Sequence, residues 1–325
     1  MPGFTTHYIF GMKAYNDMPF TPLKHTIAKY RWLYQLGLQG PDMFFYNIPI
    51  LRHRDYRNVG SYMHEHKVNA FFECCLRRIG TIRSRQQQEE AISYLAGFIN
   101  HYIADSICHP YVYGRIGYPV DAPTSMHHGM HAHLENELDA ILLWKYKKKK
   151  PSKFTQPATI CLNGQEIQFI SHFLASCINE TYYPITYRNN FQVTPAMVHR
   201  SIWALRFGCR TLSDKNGKKK FGIAQVESIF VNHPVASAKM VTDSVTDYRS
   251  SCNLNHEAWG NPWDPTRVST ASFVDLFHET LDKCSRVYAL LNSAVTDNMP
   301  LDKQDLSPLL AELGNESYHS GLPVE

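Results

Sequence analysis

One stretch of the chain spaces an imidazole, a carboxylate and a second imidazole four residues apart: His101, Asp105 and His109 in Phe98-Ile99-Asn100-His101-Tyr102-Ile103-Ala104-Asp105-Ser106-Ile107-Cys108-His109-Pro110. On an α-helix such residues lie one turn above each other and form a single polar stripe. Their neighbours are apolar, so the stripe should be at least partly buried. A buried imidazole–carboxylate row needs partners, because unpaired buried charge is expensive. Gly97 extends the row by one turn and removes bulk beside His101. Eight residues of helix rise about 12 Å, awkward for one ion held from both ends but suited to two or three neighbouring ions. A hydrogen-bonded polar seam in a helical bundle is the competing reading.

A second element is His131-Ala132-His133-Leu134-Glu135-Asn136-Glu137-Leu138-Asp139. His131 with Glu135, or His133 with Glu137, could chelate from one helix face, and spacing does not choose between them. Helical direction does. Leu134, Leu138, Ile141 and Leu142 define an apolar face, from whose centre His131 lies about 35° and Glu135 about 75°, against about 85° for Glu137 and about 125° for His133. A ligand facing an interior cluster should share the buried side, which favours His131 and Glu135. Further candidates are His7, Asp42 in Gly40-Pro41-Asp42-Met43, and His64 in Gly60-Ser61-Tyr62-Met63-His64-Glu65-His66. Singly these read as packed histidines and a turn or N-cap aspartate. Together they ask for several ligand-spaced elements to coincide. Imidazole mixed with carboxylate, and no cysteine pair at finger spacing, points to catalytic rather than structural zinc. There is no nucleophile elbow, phosphate-binding glycine loop or dinucleotide fingerprint.

The elements that must position these residues are helices. Periodicity predicts them over 21–38, 61–79, 86–112, 130–147, 167–179, 195–212 and 269–294, the last opening with hydroxyls suited to an N-cap. One small hairpin is expected through Asn163-Gly164, between Ile160-Cys161-Leu162 and Ile167 with Phe169. No break in composition divides the chain, so the expected architecture is all-α, a single helical domain over 1–313 with a loose polar tail over 314–325. The chain has 325 residues, is 44% hydrophobic and 19% charged, and carries a net charge of +4, which excludes disorder and argues against a nucleic-acid binder. No run of apolar residues is long enough to cross a bilayer. The Lys145 to Lys153 run reads as a solvated helix end, with attraction to anionic lipid as the alternative. The segment Trp259-Gly260-Asn261-Pro262-Trp263-Asp264 reads as turn packing, with the wall of a lipid cleft as the other use. Met1 to His7 lacks an export signal, and the eight cysteines lack a framework spacing, so reduced thiols and a cytoplasmic location are expected.

The ordered set His7, Asp42, His64, His101, Asp105, His109, His131 and Glu135 resembles the zinc-dependent phospholipase C family of the bacterial lecithinase type. Agreement extends to Thr6-His7-Tyr8, His101-Tyr102, His109-Pro110 and His131-x-x-x-Glu135-Asn136-x-x-Asp139, over roughly the first 145 residues. The resemblance implies an all-helical fold with three zinc ions at the base of a cleft. By it, Asp42, His64, His101 and Asp105 would hold one ion, and His109, His131 and Glu135 a second. His7 and a bridging Asp105 would hold a third. It also implies hydrolysis of a phosphoester, such as a phospholipid, by a metal-activated water, with Asp42 orienting or deprotonating that water. This sequence departs from the family pattern in three ways. The N-terminal tryptophan ligand is missing, leaving the amine of Met1 or Pro2 as its substitute. The His101-to-His109 spacing is shorter, which makes Cys108 a rival to His109. The residues that cradle choline do not carry over. The alternatives are a nuclease or phosphatase on the related fold of the fungal zinc nucleases, and a non-catalytic zinc scaffold.

Overall fold

The computed structural model describes residues 3–46, 59–188, 192–230, 237–245 and 247–325. The helices are α1 (Phe4–Asp17), α2 (Pro22–Lys29), α3 (Arg31–Gly37), α4 (Val59–Glu65), α5 (Val68–Thr81), α6 (Arg85–Arg115), α7 (Ser125–Lys147), α8 (Gly164–Arg188), α9 (Pro195–Leu212), α10 (Lys218–Phe230) and α11 (Tyr248–Ser251). A two-stranded antiparallel ribbon follows, β1 (Trp259–Asn261) and β2 (Asp264–Ser269), and then α12 (Phe273–Thr296) and α13 (Ser307–Leu313). Short 3-10 segments, among them Gly40–Tyr46, link the helices. The all-α expectation holds.

The long helix α6 is the axis of the molecule. From Ala91 to Val112 nearly every side chain is buried, so the helix is enclosed on almost all sides by other elements. Helices α1, α2, α3 and α12 and the ribbon enclose it. The closest approach is to α3. A Cβ on Gly97 would collide with the Tyr34 carbonyl, and one on Gly37 with the Tyr94 carbonyl, so the two glycines let the backbones touch. Gly97 therefore serves helix docking rather than relieving bulk beside His101. That docking carries the chain past α3 to the 3-10 turn that holds Asp42.

Local sequence accounts for the helix ends. Thr21 and Thr194 accept from the amides of Lys24 and Met197, each with proline at the first helical position. Ser272 and Asp275 form a capping box at the start of α12, so the hydroxyl-rich opening of that helix is used as expected.

Several expectations are corrected. The stretch 21–38 is two helices, because Tyr30 leaves helical geometry at φ −113° and ψ 41°. The stretch 61–79 is likewise broken at Lys67, which is left-handed at φ 50°. The hairpin expected at Asn163-Gly164 does not form. Asn163 and Glu166 exchange side-chain-to-amide hydrogen bonds of 2.8 and 2.9 Å, so this asparagine caps α8 instead of turning a ribbon. The small hairpin lies at Trp259 to Ser269.

The tail is not loose. Ser317 N–H donates to Leu322 O, Val324 N–H to Asn315 O, and Tyr318, 1% exposed, donates its N–H to His64 O at 2.9 Å. A segment anchored by backbone bonds and a buried aromatic is ordered whatever its polarity. All eight cysteines are free. No helix among the described residues is long and apolar enough to cross a membrane.

Candidate metal centre

The stripe on α6 is fully buried: His101, Asp105 and His109 are each 0% exposed. Asp105 is its centre. Its Oδ1 lies 3.1 Å from His7 Nε2 and 3.7 Å from His109 Nδ1, and its Oδ2 lies 3.1 Å from His101 Nε2 and 3.7 Å from His64 Nε2. Asp42, from the 3-10 turn, places Oδ1 3.3 Å from His64 Nε2 and 3.6 Å from His101 Nε2. Gly40 makes that turn feasible. It is left-handed at φ +46°, and a Cβ there would collide with the His101 ring.

The second group is built between α6 and α7. His131 Nε2 is 2.7 Å and His109 Nε2 3.7 Å from Glu135 Oε1. Of the two pairs with four-residue spacing, the one favoured by helical direction lies on the buried side. His131 is 13% exposed while His133 is 48% exposed and faces Glu137, which accepts from Ser251 on α11. Cys108 is no rival to His109. Its thiol lies in the apolar core with Ile9, Phe10 and Tyr111, and pairs with Thr280 Oγ1 at 3.7 Å.

The orientation of the imidazoles decides what the cluster is for. His64 Nδ1 lies 2.6 Å from Gly60 O, His101 Nδ1 3.1 Å from Leu38 O, and His109 Nδ1 2.7 Å from Tyr318 O. A carbonyl only accepts, so each Nδ1 carries the proton and each Nε2 presents a lone pair to the interior. Those three Nε2 atoms, both Asp105 oxygens and Asp42 Oδ1 have no hydrogen-bond partner. Acceptors converging on acceptors repel in a dry site unless a cation joins them, and a metal-bound histidine commonly has its far ring nitrogen fixed by a backbone carbonyl in this way. Asp42, His64, His101 and Asp105 bring their ligand atoms within 4.8 Å of one another, as do His109, His131 and Glu135. Histidine mixed with carboxylate suits zinc.

Ionisation agrees. Burial opposes the charge on Asp105, yet His109, His101 and His7 hold its carboxyl well below the usual range. Burial likewise opposes Glu135, but His131 and His109 beside it keep its carboxyl depressed. Burial lowers His109 to about 4 against the pull of Asp105, so its ring is neutral, the form a metal binds.

The family model described as zinc dependent phospholipase C matches residues 6–187. The chain belongs to this family. The matched stretch contains all eight residues expected at the site and ends before α9, so residues 188–325 are outside it. Among curated proteins and among solved structures, none matches the chain.

The zinc-dependent phospholipase C stretch also explains Asp139, the end of the His131-to-Asp139 motif. Gly3, at the N-cap of α1, offers no side chain, and Asp139 caps that helix from a distance. It accepts from Thr5 N–H at 3.1 Å and from Thr6 N–H at 2.7 Å, next to His7. Burial pushes its carboxyl up to about 6. Asp139→Ala strands two buried amides and is expected to cost about 1–3 kcal/mol of stability, read by denaturant unfolding. A loss below about 0.5 kcal/mol would show that α1, and with it His7, is held some other way.

His319, outside the family match, completes the surroundings. Its ring stacks on His64 at 4.9 Å and lies 5.6 Å from His109, and Tyr113 OH is 3.2 Å from its Nδ1. Burial, with His64 and His109 alongside, holds it well below the usual histidine range. Beside His131, Tyr113 meets Trp263 edge-on at 4.8 Å, and Tyr118 stacks on Trp263 at 5.9 Å. Of the aromatic pair in the ribbon, Trp263 therefore borders the site. Trp259 does the turn packing, edge-on to Tyr111 and bonded through Nε1 to Ala271 O.

Proposed function

We propose that this chain is a zinc-dependent phosphoester hydrolase, a phosphodiesterase of the phospholipase C type. The observation that carries the reading is the pair of adjoining donor sets, one of four residues and one of three, meeting where Asp105 and His109 are successive turns of α6. A four-residue set suits a closed coordination sphere. A three-residue set leaves a position for water or substrate, which separates an enzyme from a scaffold.

Asp42, His64, His101 and Asp105 would hold one zinc, and His109, His131 and Glu135 the other. His7, 3.1 Å from Asp105, would serve a third. The amine of Met1 or Pro2 expected to complete that third set lies outside the described residues. Bound zinc supplies a Lewis acid for phosphoryl oxygens and a water acidified to a pKa of about 7. The chain supplies the rest. Asp42 keeps a carboxylate oxygen in the ligand cluster, where it would orient the attacking water or take its proton. The buried walls exclude bulk water and so strengthen every charge interaction at the phosphoryl group. Trp263, Tyr118 and Tyr113 offer an aromatic edge beside His131 that suits the apolar part of a phospholipid.

Elemental analysis of unchelated protein should return at least two zinc ions per chain, and this protein should hydrolyse phosphodiesters in a metal-dependent way. One ion or fewer contradicts the two-set reading. A fully loaded protein inactive on phospholipid, nucleotide and chromogenic diesters would make the chain a zinc-stabilised scaffold.

A further inference from the structure

We infer that His319, delivered by the C-terminal segment, is a substrate-binding residue that donates a hydrogen bond to the phosphoryl group held between the two metal sets. The inference rests on the two-set reading above.

Backbone bonds on both sides fix the position of His319. Tyr318 donates its N–H to the carbonyl of His64 and accepts from His109 Nδ1, so one residue is tied to a member of each set. Ser320 accepts from Asn261 Nδ2 of β1 at 2.8 Å, and His319 N–H donates to Ser317 Oγ at 3.1 Å. Between these anchors the His319 ring is stacked on His64 of the first set, with the planes 13° apart, and tilted against His109 of the second. It thus lies against one member of each set, beside where a phosphoryl group held by both would sit.

The Tyr113 contact is compatible with a donor at Nε2. Tyr113 OH both donates and accepts, and the donor role inferred here takes the tautomer in which it donates to Nδ1 and His319 carries its proton on Nε2. That N–H makes no hydrogen bond among the described residues. A donor aimed where charge accumulates on phosphoryl oxygen is the type of group that lowers the barrier to displacement. His319 is not itself placed as a ligand: Nδ1 is engaged by Tyr113, and neither convergent ligand set includes it.

The test compares zinc-loaded wild type with His319→Ala and His319→Gln, measuring zinc content, affinity for inorganic phosphate by calorimetry, and KM and kcat on a chromogenic diester. Zinc content should be unchanged in both. Phosphate affinity should fall by about tenfold or more in His319→Ala, as for loss of one hydrogen bond to a charged group, and recover in large part in His319→Gln, whose amide keeps a donor. Phosphate affinity within twofold of wild type overturns the inference, and so does failure of the wild type to bind phosphate. Loss of an ion from His319→Ala also overturns it, by making the residue a ligand. A wild type that binds phosphate through His319 yet turns over no diester sinks the hydrolase reading and leaves the inference standing. Should His319→Ala fail to fold, His319→Gln against wild type decides: phosphate affinity within about threefold is expected, and a tenfold loss overturns the donor role.

Discussion

Asp105→Asn is expected to strip zinc from the protein and abolish hydrolysis while leaving the apo fold in place. The change keeps the shape of the side chain and removes only its charge. In the wild type that charge lies 3.1 Å from both His7 and His101 and within 3.7 Å of His64 and His109. Among the described residues, no other side chain faces as many members of the cluster. Without an ion, a buried carboxylate faced by imidazole lone pairs pays a desolvation penalty and gains no hydrogen bond in return, so its neutral replacement costs the apo protein little. With an ion the balance reverses, because an amide cannot offer the anionic oxygen, and the free energy of a structural zinc site is on the order of 10 kcal/mol. Zinc content should therefore fall by at least one ion per chain. The value of kcat/KM should fall by about a thousandfold or more, equivalent to about 4 kcal/mol of transition-state stabilisation. Thermal unfolding gives an independent readout: chelation should lower the Tm of the wild type and barely move that of the variant. A variant that keeps its full zinc complement and its activity would show that Asp105 is a polar seam residue, the competing reading of the stripe.

The parts of this site legible in the sequence are those written at short range. His101, Asp105 and His109 share one helix, so four-residue spacing alone aligns them. His131 and Glu135 are separated from His133 and Glu137 by direction around α7, which the apolar positions Leu134, Leu138, Ile141 and Leu142 set. His7, Asp42 and His64 carry no such local signal. Only the order of the whole set, through the family resemblance, joins them to the stripe before the fold is known. His319 was not legible at all. It stands alone in a polar tail with no partner at helical spacing, and 209 residues separate His109 from the Tyr318 carbonyl that orients it. A polar composition predicted a loose tail because composition does not register backbone hydrogen bonds to distant elements. The misplaced hairpin has a similar origin. Asn163-Gly164 is a good turn dipeptide, but the glutamate three residues after Asn163 makes it an equally good helix start, and the long apolar pattern of α8 decides in favour of the helix.

His131→Ala and His133→Ala should behave as opposites, although both remove an imidazole four residues before a glutamate on the same helix. His131 Nε2 is 2.7 Å from Glu135 Oε1, which also faces His109, so the substitution removes one of three donors from a set with none to spare. Two remaining donors hold zinc weakly. The ion carrying the open position should be lost, and hydrolysis with it, while the four-residue set retains its own ion. Zinc content then drops by one per chain rather than to zero, a stepwise loss that general unfolding would not produce. His133 lies 3.5 Å from Glu137 on the half-exposed side of α7, and Glu137 keeps its hydrogen bond from Ser251 when the ring is removed. His133→Ala should therefore remain within about 0.5 kcal/mol of wild type in stability, with full zinc and unchanged kcat/KM. The converse result, zinc lost from His133→Ala and retained by His131→Ala, would place the ligand register on the other face of α7 and remove Glu135 from the second set.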